Sequence, residues 1–471
     1  MKREAFSNGS KKKAFIRRIA LESLLLIDKK GEKSDQVLGA VLSKYSYLDR
    51  RDLSYINRAV NGTLEMRLKL DYIIEKESKV PIRKLKPVVL EILRLSLYEF
   101  FYMDRIPERA TISEALRLCD LKGLSGLKGY VNGVLSAVSR DRKLWDEDNG
   151  ESLWPKRKDS LLKYLSVTCS MPSFITERLI GQYGEDIAET VLKDQLSERP
   201  VYIRTNESRV SKDELKELLR KEGIEAEDAP YPETALIIKH KERAASSEAF
   251  KNGLCFISDI GAMLAVSLSG IKSGDRVMDV CAAPGGKTCH ALDILNGSGY
   301  LLARDISEKK LELIRENIER QGFKTKYRIE AHDALTRSPE LYESFDVLIA
   351  DLPCSGLGVM GRKKDIKYRL KEEDFSALAK LQKEILKVCT DYIKPGGTLM
   401  FCTCTIDREE NEDNYDFIIR ELPFEPVSLS SVLPEGLECE SPDRGYIQLF
   451  PGIHGSDGFF IARFRKIGTY K

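Results

Sequence analysis

The chain lacks several features that would assign it quickly. No apolar run approaches the roughly 18 residues that span a bilayer, so a membrane protein is not expected. The start, "MKREAFSNGSKKKAFIRR", is basic but leads into no signal-type apolar segment. A cytoplasmic protein is therefore the expectation. Ten cysteines in 471 residues are too dilute for a disulfide scaffold. No two of them stand as C-x-x-C, so no metal site is expected. Nothing marks an oligomer, and a monomer is the default expectation. A strong net charge is also missing, at only +2. The charge is nevertheless uneven: residues 1–145 carry 30 Lys+Arg against 18 Asp+Glu, and the remainder 46 against 56. A basic N-terminal third suggests a polyanionic partner. An ordinary solvated helical surface explains the count equally well.

What is present is an average globular composition, 42% hydrophobic and 32% charged, long enough for two to four domains. Residues 13–140 read as helix throughout. "AFIRRIALESLLLID" places Phe15, Ile19, Leu21, Leu24 and Leu25 at helical spacing. "LKPVVLEILRLSLYEFFYM" repeats the pattern, with Pro87 tolerable near a helix start. "ATISEALRLCD" offers Thr111 and Ser113 as caps, with Glu114 three residues after Thr111. Residues 141–160, with Gly150 and Pro155, read as a linker. From about 161 to 250 the pattern becomes a small α+β module: "RPVYIRTN" and "TALIIKH" as strands around the helix "SKDELKELLRKEG".

From 254 onward strands and helices alternate. This pattern predicts a parallel, doubly wound sheet with crossover helices, a Rossmann-like α/β domain. Ligands bind such sheets outside the carboxyl ends of the strands. The expected domains are 1–145, 146–250 and 251–471.

"DVCAAPGGKT", residues 279–288, leaves a strand and enters a helix. Its Gly-Lys-Thr end resembles a phosphate loop. That loop needs a Gly where Cys281 stands, so an ATP reading is weak. Gly285 and Gly286 let backbone amides approach a ligand at a helix N-terminus. The next strand ends at Asp305, suited to the two hydroxyls of a ribose. The third is followed by "AHDAL", which puts Asp333 where it can meet an adenine amino group. Carboxylate, ribose and adenine together describe S-adenosylmethionine better than a dinucleotide.

"IADLPCSGLGV" ends the fourth strand with Asp351, Pro353 and Cys354, and "FCTCTIDREENE" ends the fifth with Cys402 and Cys404. A methyltransferase acting on an exocyclic amine shows an aromatic residue where Cys354 stands, so that reading is disfavoured. Carbon 5 of cytosine is a poor nucleophile and needs covalent help. A thiolate adding at carbon 6 turns the ring into an enamine, which splits one hard step into easier ones. Cys402 and Cys404 share one strand face, so periodicity does not separate them. Cys404 is nearer the strand's carboxyl end, and Cys402 lies roughly 6–7 Å deeper. The remaining cysteines sit in no motif, apart from Cys281 in the cofactor loop, and read as packing.

"CAAPGGKT", "DLPCSGLGV", "RKKDIKY" and "TLMFCTCTIDREENE" resemble the NOL1/NOP2/Sun family of RNA cytosine-5 methyltransferases. The resemblance covers about residues 160–466. The helical N-terminus resembles the NusB-type RNA-binding domain. The combination is that of members acting on one cytidine of 16S rRNA, with another rRNA site or tRNA as the alternative. The resemblance implies that Cys281, Ala282, Ala283, Pro284, Gly285, Gly286, Lys287, Asp305, Asp333 and Asp351 hold S-adenosylmethionine. It implies Cys404 as nucleophile, Cys354 as a second thiol that helps product release, and Asp351 as a group steadying ring nitrogen 3. RNA rather than DNA is the implied partner, because DNA enzymes attack with the Pro-Cys thiol. The chain departs from the pattern at Leu352, where Ala is common, at Thr405, where Ser is usual, and in "ISDIGAML", which lacks a frequent Glu. Two further expectations concern loops. The cations of "GRKKDIKYR" are expected to contact phosphate. The acidic run after Thr405 is expected to open a helix whose positive end lowers the Cys404 pKa. A non-catalytic RNA-binding or antitermination factor is the rival class, resting on the helical domain alone.

Overall fold

The computed structural model describes residues 9–146, 152–239 and 241–468. By contact the chain divides into two compact units. One is Met1–Leu196 with Arg362–Arg369; the other is Ser197–Gly361 with Leu370–Lys471.

The first unit is helical. Its longer helices are Gly9–Lys30, Arg50–Glu65, Pro87–Tyr102, Glu108–Leu121, Lys128–Arg140 and Ser173–Asp194. Pro87 is the first residue of its helix, where its missing N–H costs nothing. Leu21, Leu24, Ile56, Ile92, Leu93 and Leu97 line one shared apolar core. Buried in it is Glu99, held by Arg17 through two bonds of 2.8 and 3.0 Å, by Tyr55 and by Thr111. Thr111 is therefore not a cap. Its helix begins at Glu108 behind Pro107, and the hydroxyl serves the buried carboxylate instead. The expected linker is partly built in. Trp145 and Trp154 are buried with ring centroids 5.0 Å apart, and the Trp154 indole N–H donates to the Trp145 carbonyl at 3.1 Å. Gly150 lies outside the described residues.

The segment Arg362–Arg369 groups with these helices, and two of the cations expected to meet phosphate, Lys364 and Lys367, are taken up by protein groups instead, while Arg362, Lys363 and Arg369 are exposed. Lys364 pairs with Glu65. Lys367 is buried and donates to the carbonyls of Glu65 at 2.8 Å and Ser170 at 2.6 Å. Burial pulls its pKa down to about 7. Asp365 accepts from the Ser34 hydroxyl at 2.7 Å and pairs with Arg369 at 2.9 Å.

The second unit holds two sheets. β1 (Val201–Thr205), β2 (Ala226–Asp228), β3 (Ala235–Ile238) and β4 (Cys255–Ile257) form an antiparallel sheet in the order β2-β3-β1-β4. The large sheet adds β5 (Arg276–Asp279), β6 (Tyr300–Asp305), β7 (Lys326–Ala331), β8 (Phe345–Asp351) and β9 (Ile393–Thr403). β10 (Phe424–Pro426), β11 (Tyr446–Leu449) and β12 (Phe459–Lys466) complete it. Its order is β10-β12-β9-β8-β5-β6-β7, with β11 on β12. The pairs among β5 to β9 are parallel, as expected. β12 runs antiparallel to β9, and β10 and β11 antiparallel to β12. The sheet is therefore mixed, and its last three strands are an addition to the expected pattern.

Both sheets share a buried ion pair. Arg204 of β1, 1% exposed, meets Asp293 on the helix Gly286–Leu295 and Gln321 on the helix Glu308–Gln321. Asp293 also accepts the backbone N–H groups of Glu207 at 3.1 Å and Ser208 at 2.8 Å. Removing one partner leaves the other charge buried alone. Asp293→Ala should lose about 3–5 kcal/mol of folding stability, read as a lower urea midpoint. An unchanged midpoint would mean that the pair does not brace the unit.

Candidate active site

The carboxyl ends of β5, β6, β8 and β9 point the chain into four loops, and these carry most of the candidate residues. The first loop, Val280–Gly285, joins β5 to the helix Gly286–Leu295. Gly285 has φ +99°, a left-handed conformation that favours glycine, and stands at the helix N-cap. A Cβ on Gly286 would come 3.1 Å from the Phe256 ring. No acidic residue occupies the first turn of this helix, and no side chain caps it, so its positive end is left to other partners. Ala282 donates to the Arg304 carbonyl at 2.8 Å, which fixes the loop to β6.

Asp305, 5% exposed, ends β6. Its carboxylate accepts the N–H groups of Ala283 at 3.3 Å and Ser307 at 3.2 Å. Asp333 follows β7 and is exposed. One oxygen accepts the Leu335 N–H at 3.0 Å, an Asx turn, and the other has no partner among the described residues. Asp279, at the end of β5, belongs to the same cluster although its position in a strand gave no signal. It is 1% exposed, one oxygen accepts the Thr288 hydroxyl at 2.7 Å, and the other has no hydrogen-bond partner among the described residues. Burial pushes its carboxyl up to about 7.

Lys287 leaves the same helix start toward β8 and pairs with Asp351 at 2.5 Å. Its ammonium also lies 5.0 Å from the Phe459 ring centroid. Burial disfavours its charge most strongly, but Asp351, Cys402 and Asp279 together outweigh burial and raise the pKa, so Lys287 stays cationic. Asp351 lies opposite Cys402 in the β8–β9 register. The Cys402 thiol is fully buried, 3.8 Å from the Asp351 carboxylate, and burial pushes its pKa well up.

Two residues beyond Cys402 the chain has left the sheet, and the Cys404 sulfur meets the Cys354 sulfur at 3.3 Å. That is too long for a disulfide, whose S–S bond is about 2.05 Å. Both thiols are half-buried, unlike Cys119, Cys169, Cys255, Cys289, Cys389 and Cys402. The hydrogen bond with Cys404, and then burial, push the Cys354 pKa well up. Either sulfur can donate in this contact, and the raised pKa keeps Cys354 in its neutral thiol form.

Only the end of the acidic run after Thr405 opens a helix, with Glu412 and Asp413 in its first turn. In the turn before that helix Arg408 is exposed, but its neighbours turn inward. Asp407, Glu410 and Asn411 are each 0% exposed. Asn411 donates to the Thr405 carbonyl at 3.1 Å and to Gln448 at 2.8 Å. The helix dipole therefore starts eight residues beyond Cys404, and the thiol pair is backed by a polar network. Gln382 joins that network from the helix Glu372–Cys389. Its spacing from Phe375, Ala379, Ile385 and Leu386 puts it on the apolar face, which was the available signal.

Family models match the chain in three places: "16S rRNA methyltransferase RsmB/F" over residues 266–465, "NusB family" over 15–140, and an RsmF/B-like ferredoxin-like domain over 171–244. The probable ribosomal RNA small subunit methyltransferase B of Bacillus subtilis is 35% identical over 461 residues, covering 97% of this chain and 100% of that one. The chain belongs to the ribosomal RNA small subunit methyltransferase B family. The Shewanella oneidensis member is 32% identical, covering 82% of this chain and 84% of its own. The crystal structure of PH0851 shares the fold, with a TM-score of 0.78, 23% identity, and coverage of 96% and 98%.

Methyltransferase B is an S-adenosylmethionine-dependent rRNA methyltransferase family. The residues of this chain fit that cofactor. An uncapped helix N-terminus suits a carboxylate. The buried, unpartnered oxygen of Asp279 suits a donor group. Among the described residues no helix is long and apolar enough to cross a membrane, and no cluster suits a metal ion.

Asp279 gives a pH test. Its folded value, about 7, lies above the ordinary 3.8, so the folded state holds the proton more tightly. Stability should therefore fall as pH rises from the ordinary value to the folded one, and level off above it. Asp279→Asn should flatten this decline in urea titrations across that window; parallel parent and variant curves would contradict the assignment.

Proposed function

We propose that the chain methylates carbon 5 of a cytidine in 16S rRNA through a covalent cysteine–cytosine intermediate. The observation that carries this reading is the Cys354–Cys404 thiol pair at 3.3 Å, with the Lys287–Asp351 ion pair on the preceding strand end. The relatives named for small subunit rRNA supply the substrate. A base inside a duplex cannot reach a half-buried sulfur, so the target cytosine is read as flipped out or single-stranded.

The chemistry follows from the groups present. Cys404 adds as thiolate to carbon 6, forming the sulfur–carbon bond. The proton given up by the Cys404 thiol goes to ring nitrogen 3, which takes up the displaced electron pair and donates its N–H to the Asp351 carboxylate, leaving an enamine with a nucleophilic carbon 5. Bound S-adenosylmethionine supplies the electrophilic methyl. Loss of the carbon 5 proton to solvent then re-forms the double bond and expels the Cys404 sulfur as thiolate, which takes back the proton from nitrogen 3. A neutral Cys354 thiol, 3.3 Å from that sulfur, donates to it and stabilises it as it leaves. Lys287 holds Asp351 in place, and the helix start at Gly286 with Asp305 and Asp333 holds the cofactor.

Cys404→Ala should abolish methyl transfer, and Cys354→Ala should accumulate an SDS-resistant enzyme–RNA adduct on gels. Full activity of Cys404→Ala would remove it as nucleophile. Bisulfite sequencing of RNA from a deletion strain should show one unmethylated 16S cytidine. A lost mark in another rRNA or in tRNA would move the substrate while leaving the chemistry.

A further inference from the structure

Glu410 is an acid that the chemistry above does not use. It lies in the turn after Cys404, is 0% exposed, and belongs to the same unit as both thiols. One of its carboxylate oxygens accepts the Ser355 backbone N–H at 2.9 Å and the Gln382 side-chain N–H at 3.0 Å. The same Gln382 nitrogen donates to the Pro353 carbonyl at 2.8 Å. Pro353 and Ser355 are the two neighbours of Cys354, so one carboxylate and one amide grip the chain on both sides of that thiol. Asn414 closes the ring, donating to the Gln382 side-chain oxygen at 2.5 Å and to the Glu410 carbonyl at 2.9 Å.

The same group of residues ties the two thiol loops together. The Ser355 and Thr405 hydroxyls, each one residue past a thiol, lie 2.7 Å apart. The Gly358 N–H donates to the Cys404 carbonyl at 3.1 Å. A fully buried carboxylate is costly unless it is fully bonded, and the second oxygen of Glu410 is buried without a hydrogen-bond partner among the described residues. Packing alone would be met as well by an amide or an apolar side chain. Costly ionisable groups of this kind cluster at functional sites.

We infer that Glu410 is the positioning residue of Cys354: with Gln382 it fixes the peptides flanking that thiol, so that Cys354 meets the Cys404 sulfur when the methylated base is released. The inference rests on the release role given to Cys354 above. Its charge acts in the same direction, since a nearby carboxylate favours the neutral thiol that donates.

The test uses the full-length protein, labelled S-adenosylmethionine and a full-length 16S rRNA transcript, with Cys354→Ala as reference. Glu410→Ala should keep the first-turnover burst of methyl transfer. Its steady-state turnover should fall by up to about 100-fold, as loss of positioning does, with adduct accumulating as in Cys354→Ala. Glu410→Gln keeps an acceptor oxygen for the Ser355 N–H and should restore most of the turnover. Gln382→Leu, a second route to the same loss, should also trap adduct, so the inference stays testable if Glu410→Ala fails to fold. Parent-like turnover in Glu410→Ala, or loss of burst and adduct together in folded Glu410→Ala and Gln382→Leu, overturns it. If Cys354→Ala itself traps no adduct, the release reading fails, and the inference with it.

Discussion

The register of β8 against β9 is the constraint on which the site depends. Asp351 lies opposite Cys402. From that pairing both strands end together, and the next residues of each carry a thiol into the same space. A slip of one residue would reverse every side chain on one strand. Asp351 would then point away from Lys287, and the deep cysteine would exchange faces with its neighbour. Register is strongly specified here because both strands are buried: Val347, Leu348, Ile349 and Ala350 on one, Leu399, Met400, Phe401 and Cys402 on the other.

Beyond the strand ends the order no longer comes from the sheet. It comes from side chains that bond backbone. Glu410, Gln382, Asn411 and Asn414 take the N–H and C=O groups that the loops leave unpaired. Buried polar networks of this kind are costly when incomplete and rigid when satisfied. The two half-buried sulfurs thus sit on a buried polar base in which, among the described residues, one oxygen of Glu410 and one of Asn414 find no hydrogen-bond partner. The cofactor side is built differently: its loop uses glycine geometry and an uncapped helix end, leaving donors and acceptors free for a ligand.

Much of this was legible in the sequence. The alternation of strands and helices after residue 254, the glycine loop, Asp305 and the two thiol motifs are local patterns, and local patterns survive without a structure. The sequence reading also separated Cys404 from Cys402 by distance along one strand. What it missed depends on distant partners. Lys364 and Lys367 look like a solvated basic loop because Glu65 and Ser170, which neutralise and bond them, lie far back in the chain. "REENE" looks like an exposed helix start because the Ser355 amide and Gln382 that bury Glu410 belong to other elements. The strands β10 to β12 follow no crossover helix pattern, since antiparallel pairing with β9 requires none.

The central claim is that Cys404, and neither Cys354 nor Cys402, is the sulfur that bonds the base. RNA carrying 5-fluorocytidine tests it directly, because fluorine on carbon 5 does not leave as a proton does and the adduct persists. Protease digestion and mass spectrometry of the trapped complex then locate the modified peptide. The account predicts the nucleotide on Cys404 within the peptide that follows β9. A nucleotide on Cys354, or on Cys402, would contradict it.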